Sequence, residues 1–297
     1  MRVEVVGVPL DLGASRRGTD MGPSALRYAR LHAALEDVGH SWRDLGNVDV
    51  PVPESRQSPP ARVRYLPEIC ALCAEVAHAV AAIRGRGAVP LVLGGDHSLA
   101  IGTLGGYRRA AERPGVLWLD AHADFNTEET TPSGNVHGMS LAVATGRGPA
   151  ELVAVAGGGW LGEGDVALVG VRDVDARERL ALRASGVRAF TMADIDRDGI
   201  ASVMDRALGT ATAGGRRPLH VSLDLDVLDP DVAPGVGTPV PGGLTYREAH
   251  LALELVAETG LVAGIDVVEV NPILDDHNRT ARLAVGLIAS ILGRRIL

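Results

Sequence analysis

The sequence predicts a three-layer α/β/α fold, in which a mostly parallel central sheet is covered by helices on both faces, built as a single domain over residues 1–297. Three observations predict it. Short runs rich in Val, Ile and Leu alternate with longer segments of helical periodicity, the pattern of repeated strand–helix units. Most of the short runs are continuously apolar rather than alternating, as strands buried on both faces are. Neither a linker nor an internal repeat divides the chain, and 297 residues suffice to bury roughly three quarters of the unfolded surface.

Taken in order, the apolar runs place strands at 2–8, 89–93, 116–120, 166–171, 187–191, 219–226 and 263–270. The periodic segments between them place helices at 24–36, 67–84, 99–112, 175–184, 194–208, 245–258 and 278–292. The helix at 245 opens on Thr245 with Glu248 three residues on, the reciprocal capping pattern of a helix start. The Pro-rich stretch 51–60 and the Gly-rich stretches 156–164 and 211–217 read as surface loops. Aromatic residues make up only 3% of the chain, so the core must be packed mainly by Ala, Val, Leu and Ile.

A net charge of −8 argues against nucleic acid as a partner, because phosphate binding needs clustered cations. It fits a cationic substrate. No uninterrupted apolar stretch approaches the roughly 20 residues of a membrane helix, so no membrane partner is expected. The first strand begins almost at Met1, leaving no room for a signal peptide, and the cytoplasm is the expected compartment. Cys70 and Cys73 are three apart in a helix-like run without the partners of a metal or redox motif, and read as structural cysteines.

Ligands of open parallel sheets bind outside the carboxyl ends of the strands. There the sequence runs into Gly94-Gly95-Asp96-His97-Ser98, then Asp120-Ala121-His122-Ala123-Asp124, Ser222-Leu223-Asp224-Leu225-Asp226 and Val268-Glu269-Val270-Asn271-Pro272. Spacings of two and four project side chains to one side of an extended segment. A lone Asp-x-Asp is often a turn or helix cap, and a lone buried His is usually a satisfied core residue. Four aspartates converging on one sheet edge would instead raise one another's pKa values unless cations neutralised them. Carboxylate and imidazole ligands without thiolates suit a divalent ion such as Mn²⁺. Two such ions would balance the four carboxylates, and a pair about 3.5–4 Å apart can activate a shared water.

These motifs, with Gly7-Val8-Pro9-Leu10-Asp11-Leu12-Gly13 before them and Asn278-Arg279-Thr280-Ala281 after, resemble the ureohydrolases, dimanganese enzymes that release urea from guanidino compounds. The resemblance spans nearly the whole chain and implies two Mn²⁺ per subunit on an arginase/deacetylase-like fold. One ion would be held by His97, Asp120, Asp124 and Asp224, the other by Asp120, His122, Asp224 and Asp226, with Asp120 and Asp224 bridging.

Within the ureohydrolases, the stretch from Asp124 to Gly138 is similar to the arginase loop. That likeness implies that Asn126, Thr131 and Ser133 grip the α-carboxylate of L-arginine, with Asn135 and Thr238 also on the substrate. Asp175 and Glu178 would meet its α-amino group. Phe125 and Pro132 depart from a number of arginases, but neither falls on a ligand position. The implied reaction is attack of a hydroxide shared by the two ions on the guanidinium carbon, giving L-ornithine and urea. Glu269 would pair with the guanidinium, Asp124 would steady the nucleophile, and His137 would pass a proton to the leaving amine. The resemblance also implies a homo-oligomer, trimer or hexamer, with Arg247 and Glu248 in a contact region. An agmatinase or guanidinobutyrase would share the metal centre without needing carboxylate donors.

Overall fold

Alternation of buried strands with amphipathic helices produces the layered arrangement expected. The computed structural model describes residues 1–55 and 62–295. Its strands are β1 (Arg2–Val8), β2 (Ser41–Asn47), β3 (Val89–Gly94), β4 (Gly115–Leu119), β5 (Val166–Val171), β6 (Arg188–Thr191), β7 (Leu219–Asp224) and β8 (Val262–Val268). Among the described residues they form one eight-stranded sheet in the order β2-β1-β3-β8-β7-β4-β5-β6, with every neighbouring pair parallel. The helices are α1 (Gly22–Tyr28), α2 (Leu31–Asp37), α3 (Leu66–Gly85), α4 (Leu99–Arg109), α5 (Ser140–Ala144), α6 (Ala150–Val155), α7 (Ala176–Ala184), α8 (Met192–Asp198), α9 (Ile200–Ala211), α10 (Tyr246–Glu258) and α11 (Arg279–Ile291).

The two faces follow from the period of two along each strand. Leu117, Leu119, Leu219, Val221, Leu223, Ile265 and Val267 point to the side covered by α1, α2, α9, α10 and α11. Val116, Trp118, Leu168, Val92 and Val268 point to the opposite side, under α3, α4, α5 and α6. On that second face the central strand β7 carries His220, Ser222 and Asp224 instead of aliphatic residues, all buried. Polar groups therefore enter the protein along the strand that leads to the candidate site.

Several elements differ from the expectations. The predicted helix 24–36 is two helices, because Arg30 adopts a left-handed conformation (φ 66°) between α1 and α2. The predicted helix 194–208 is likewise divided into α8 and α9 at Gly199, whose φ of 78° leaves helical space. Strand β2 was not expected. It lies at the sheet edge with mostly exposed residues, so it lacks the apolar run that marks the other strands. Strand β7 stops at Asp224 rather than at 226, because Leu225–Val227 turn into a short 3-10 helix whose first peptide, Asp226 N, donates to Asp224 Oδ1 at 2.8 Å.

Helix α3, with a mean hydropathy of 1.6, is long and apolar enough to cross a membrane by length and composition, although Glu68, Glu75 and Arg84 interrupt its apolar run. Here it packs on α4, with Ile69, Leu72, Cys73, Val76, Val80 and Ile83 buried. Cys70 and Cys73 are free thiols, and burial raises both above the usual thiol range. Of the predicted loop 51–60, Pro53–Ser55 form one 3-10 turn and residues 56–60 lie outside the described residues.

Candidate metal centre

The site forms where β3, β8, β7 and β4, adjacent in the sheet, end together. His97 follows β3, Asp120, His122 and Asp124 follow β4, Asp224 ends β7 with Asp226 behind it, and Glu269 follows β8. Asp124 and Glu269 both take left-handed backbone conformations, with φ of 49° and 64°. Non-glycine residues in that region cost on the order of 1 kcal/mol or more and persist where packing holds them, commonly at functional positions.

His97 Nδ1 lies 3.2 Å from Asp120 Oδ2, 3.1 Å from Asp124 Oδ2 and 3.2 Å from Asp224 Oδ2. None of the three approaches has hydrogen-bond geometry, so this buried nitrogen has no hydrogen-bond partner. The other ring nitrogen, Nε2, is 2.8 Å from Ser222 Oγ, and the imidazole stacks on Trp118 at 4.1 Å between centroids. With Nε2 directed at the hydroxyl, the Nδ1 lone pair can face the carboxylates, an arrangement that suits a cation held among them. A second group joins it: His122 Nδ1 is 3.0 Å from Asp226 Oδ2 and 3.5 Å from Asp120 Oδ1. The ligand atoms of His97, Asp120 and Asp224, and again of Asp120, His122 and Asp226, all lie within 4.8 Å of one another. The two groups share Asp120.

The carboxylates are fixed from behind. Trp118 Nε1 donates to Asp120 Oδ2 at 2.9 Å, and His122 N donates to Asp120 Oδ1 at 2.7 Å. Ala121 N donates to Asp226 Oδ1 at 3.0 Å, and Thr238 Oγ1 donates to Asp226 Oδ2 at 3.1 Å. Burial and the charge of Asp120 push Asp124 up to about 6. Burial raises Asp224 and Asp226 as well, joined at Asp224 by the charges of Asp226 and Asp120 and at Asp226 by that of Asp120. Burial acts on Asp120 as well, but His122 and His97 outweigh it and hold that carboxyl low. Both histidines are raised despite burial, because the carboxylates around them retain the proton. A divalent cation competes for these same atoms, so its binding must release protons.

Glu269 is fully enclosed beside this cluster. Its Oε1 accepts from His97 N and is 3.0 Å from His137 Nδ1, while its buried Oε2 has no partner. A Cβ on Gly237 would stand 3.0 Å from that oxygen, so the glycine leaves the approach to Oε2 open. Burial works to lower His137, but Glu269 prevails and raises it to about 9.

A cleft of about 150 Å³ opens over the cluster, lined by His122, Asp124, Asn126, Thr131, Ser133, His137, Asp173, Asp175, Glu178, Asp224 and Thr238. The predicted substrate residues Asn126, Thr131, Ser133, Asp175, Glu178 and Thr238 are thus brought together. Asn135 is not on this lining: its amide is engaged by Ser15 and Arg64. Asn126 Nδ2 donates to Asp175 Oδ2 at 3.0 Å, and Glu178 accepts from Phe125 N and Asp175 N. Burial, helped by Asp124, pushes Glu178 up to about 7.

Sequence reasoning missed Trp118, Ser222 and Asp173. The period of two could have found the first pair, since each stands two residues before a candidate ligand on the same face. Asp173 also stands two residues before a predicted site residue, Asp175, but in the loop past β5 where the strand period does not apply, and only the cleft shows the two together.

Comparison with known proteins agrees over the full chain. A model of the arginase family matches residues 1–293. A curated arginase of Bacillus caldovelox is 46% identical over 302 residues, covering 99% of each chain. The crystal structure of arginase from Bacillus cereus superposes with a TM-score of 0.93 at 44% identity, covering 100% of both chains. The native structure of the Bacillus caldovelox arginase at pH 5.6 gives 0.94 at 46% identity and 99% of each chain. Paired imidazole–carboxylate groups at the end of an all-parallel sheet and a match running from the first strand to the last helix have one reading: this chain belongs to the arginase family.

Proposed function

We propose that this protein hydrolyses L-arginine to L-ornithine and urea with two Mn²⁺ ions, held by His97, Asp120, Asp124 and Asp224 and by Asp120, His122, Asp224 and Asp226. The observation that carries this reading is the pair of ligand groups sharing Asp120 at the floor of a cleft that combines hydroxyls, an amide and carboxylates. When bound, such ions supply Lewis acidity and water activation near neutral pH.

The chain's own groups divide the substrate between them. Thr131, Ser133 and Asn126 offer donors to the α-carboxylate, whereas Asp175 and Glu178 offer acceptors to the α-ammonium. Glu269 Oε2, buried and unpaired, is the acceptor for the guanidinium N–H groups. His137, on the cleft wall with Nδ1 held by Glu269, can release a proton from Nε2 to the departing amine. We read the protein as a single domain that works in the cytoplasm as a trimer or hexamer.

Agmatine tests the carboxylate grip, because it presents the same guanidinium without that group. Urea release from L-arginine and agmatine, measured side by side with Mn²⁺, should strongly favour arginine. Preference for agmatine would overturn the substrate assignment.

A further inference from the structure

We propose that Arg172 is a positioning residue that holds the Asp226 half of the metal centre in place, an inference that rests on the reading of Asp120, His122 and Asp226 as ligands. Arg172 lies just past β5 and is partly buried. Its guanidinium donates to backbone carbonyls from three directions. Nη2 reaches Asp226 O at 2.7 Å, Leu228 O at 3.1 Å and Val240 O at 2.7 Å. Nη1 reaches Val227 O at 3.2 Å and Gly170 O at 3.3 Å, and Nε reaches Val240 O at 3.1 Å and Pro241 O at 3.2 Å. The main chain adds a further tie, from Arg172 N to Ala121 O at 2.8 Å, next to His122.

These bonds gather the segments that build one ligand group. Residues 226–228 contain Asp226, the segment 240–241 follows Thr238, which donates to Asp226 Oδ2, and Ala121 N donates to Asp226 Oδ1. Taking a guanidinium from water onto neutral carbonyls is costly unless negative charge lies nearby. Burial lowers the Arg172 guanidinium below its ordinary range, and the charges of Asp226, Asp120, Asp229 and Asp224 oppose that shift without cancelling it. The cation thus sits behind the peptide of Asp226 and in the field of the cluster. Gly243 makes room for it, since a Cβ there would fall 2.6 Å from Nη2. Only the planar five-donor fork of arginine can span so many acceptors; lysine keeps the charge but has a single ammonium.

The test is Mn²⁺ binding by the metal-free full chain, followed by calorimetry, in the parent and in Arg172→Met and Arg172→Lys. The parent should bind two equivalents. Both variants should bind one as the parent does and the other at least tenfold more weakly, within the roughly 10–100-fold loss typical of groups that orient ligands. Urea unfolding of the metal-free proteins reports general damage separately. Parental affinity for both ions in Arg172→Met overturns the inference, as does equal weakening of both. Recovery in Arg172→Lys would assign the effect to charge alone and also overturn it. Should Arg172→Met not fold, Arg172→Lys decides the matter by the same criterion. Failure of the parent itself to bind two ions would count against the metal-site reading instead.

Discussion

His137 Nδ1 sits 3.0 Å from Glu269 Oε1, and each group sets the other's charge: Glu269 raises His137 to about 9, and His137 holds Glu269 below its ordinary range against the opposing effect of burial. The same carboxylate accepts the His97 peptide N–H, so one side chain links the candidate proton carrier to a candidate metal ligand.

This pairing predicts a pH-dependent stability. The folded pKa of His137 is raised above 6.5, so its contribution is complete below that value and is lost as pH rises through about 9. Glu269→Gln should therefore destabilise the metal-free protein more at about pH 6 than at about pH 10. Urea unfolding at both pH values checks this, and an equal loss at each would show that the ion pair is not the cause.

Replacing a ligand and replacing the proton carrier should have different consequences. Asp226→Ala should lose or weaken one metal and most of the activity, because Asp226 belongs to only one of the two groups. His137→Asn should lower kcat by about 10²-fold or more while leaving metal content unchanged, the scale of a general acid–base contribution. Elemental analysis beside steady-state kinetics separates the two.

The hydroxyls at the cleft mouth should govern substrate choice. Hydrogen bonds to a charged group contribute roughly 1.5–3 kcal/mol each. Thr131→Ala and Ser133→Ala should therefore raise KM for L-arginine about tenfold or more and leave the weak turnover of agmatine unchanged. A parallel decline on both substrates would refute the carboxylate role.

Metal should also stabilise the fold, since the ligands come from separate strands. At 100 times its Kd, a ligand specific to the native state adds about 2.7 kcal/mol. The melting temperature should accordingly rise with added Mn²⁺ and fall again with a chelator, as differential scanning calorimetry can measure.

The most apolar strands, and the acid–histidine clusters that follow several of them, were the legible parts of this chain. Strands β1 and β5 are bounded where their Val-rich runs begin and end, whereas Asp124 and Asp226 join their clusters through a left-handed residue and a 3-10 turn beyond the strands, not through the period of two that suggested them. What escaped depends on tertiary context. Arg30 divides a continuous helical pattern through a left-handed turn that its residue type does not announce. Strand β2 is held by pairing with β1 and not by an apolar signal of its own. The contacts that Asn135 makes with Arg64 and Ser15, both far away in sequence, were not legible in its loop. Gly199 was visible as a residue, though a lone glycine does not by itself distinguish a break from a tolerated interior position.

The strand order has a consequence for how the protein comes to be active. Strand β8, made after every other strand of the sheet, is inserted between β3 and β7, so until it arrives no described strand joins the β3 end that carries His97 to the β7 end that carries Asp224. Pairings this distant along the chain form slowly. A nascent or truncated polypeptide ending before residue 262 would carry all six candidate ligands and could still bring Asp120, His122 and Asp226 together through β4 and β7, but His97 would have no seat beside Asp224, so uptake of the full metal complement becomes a readout of β8 insertion.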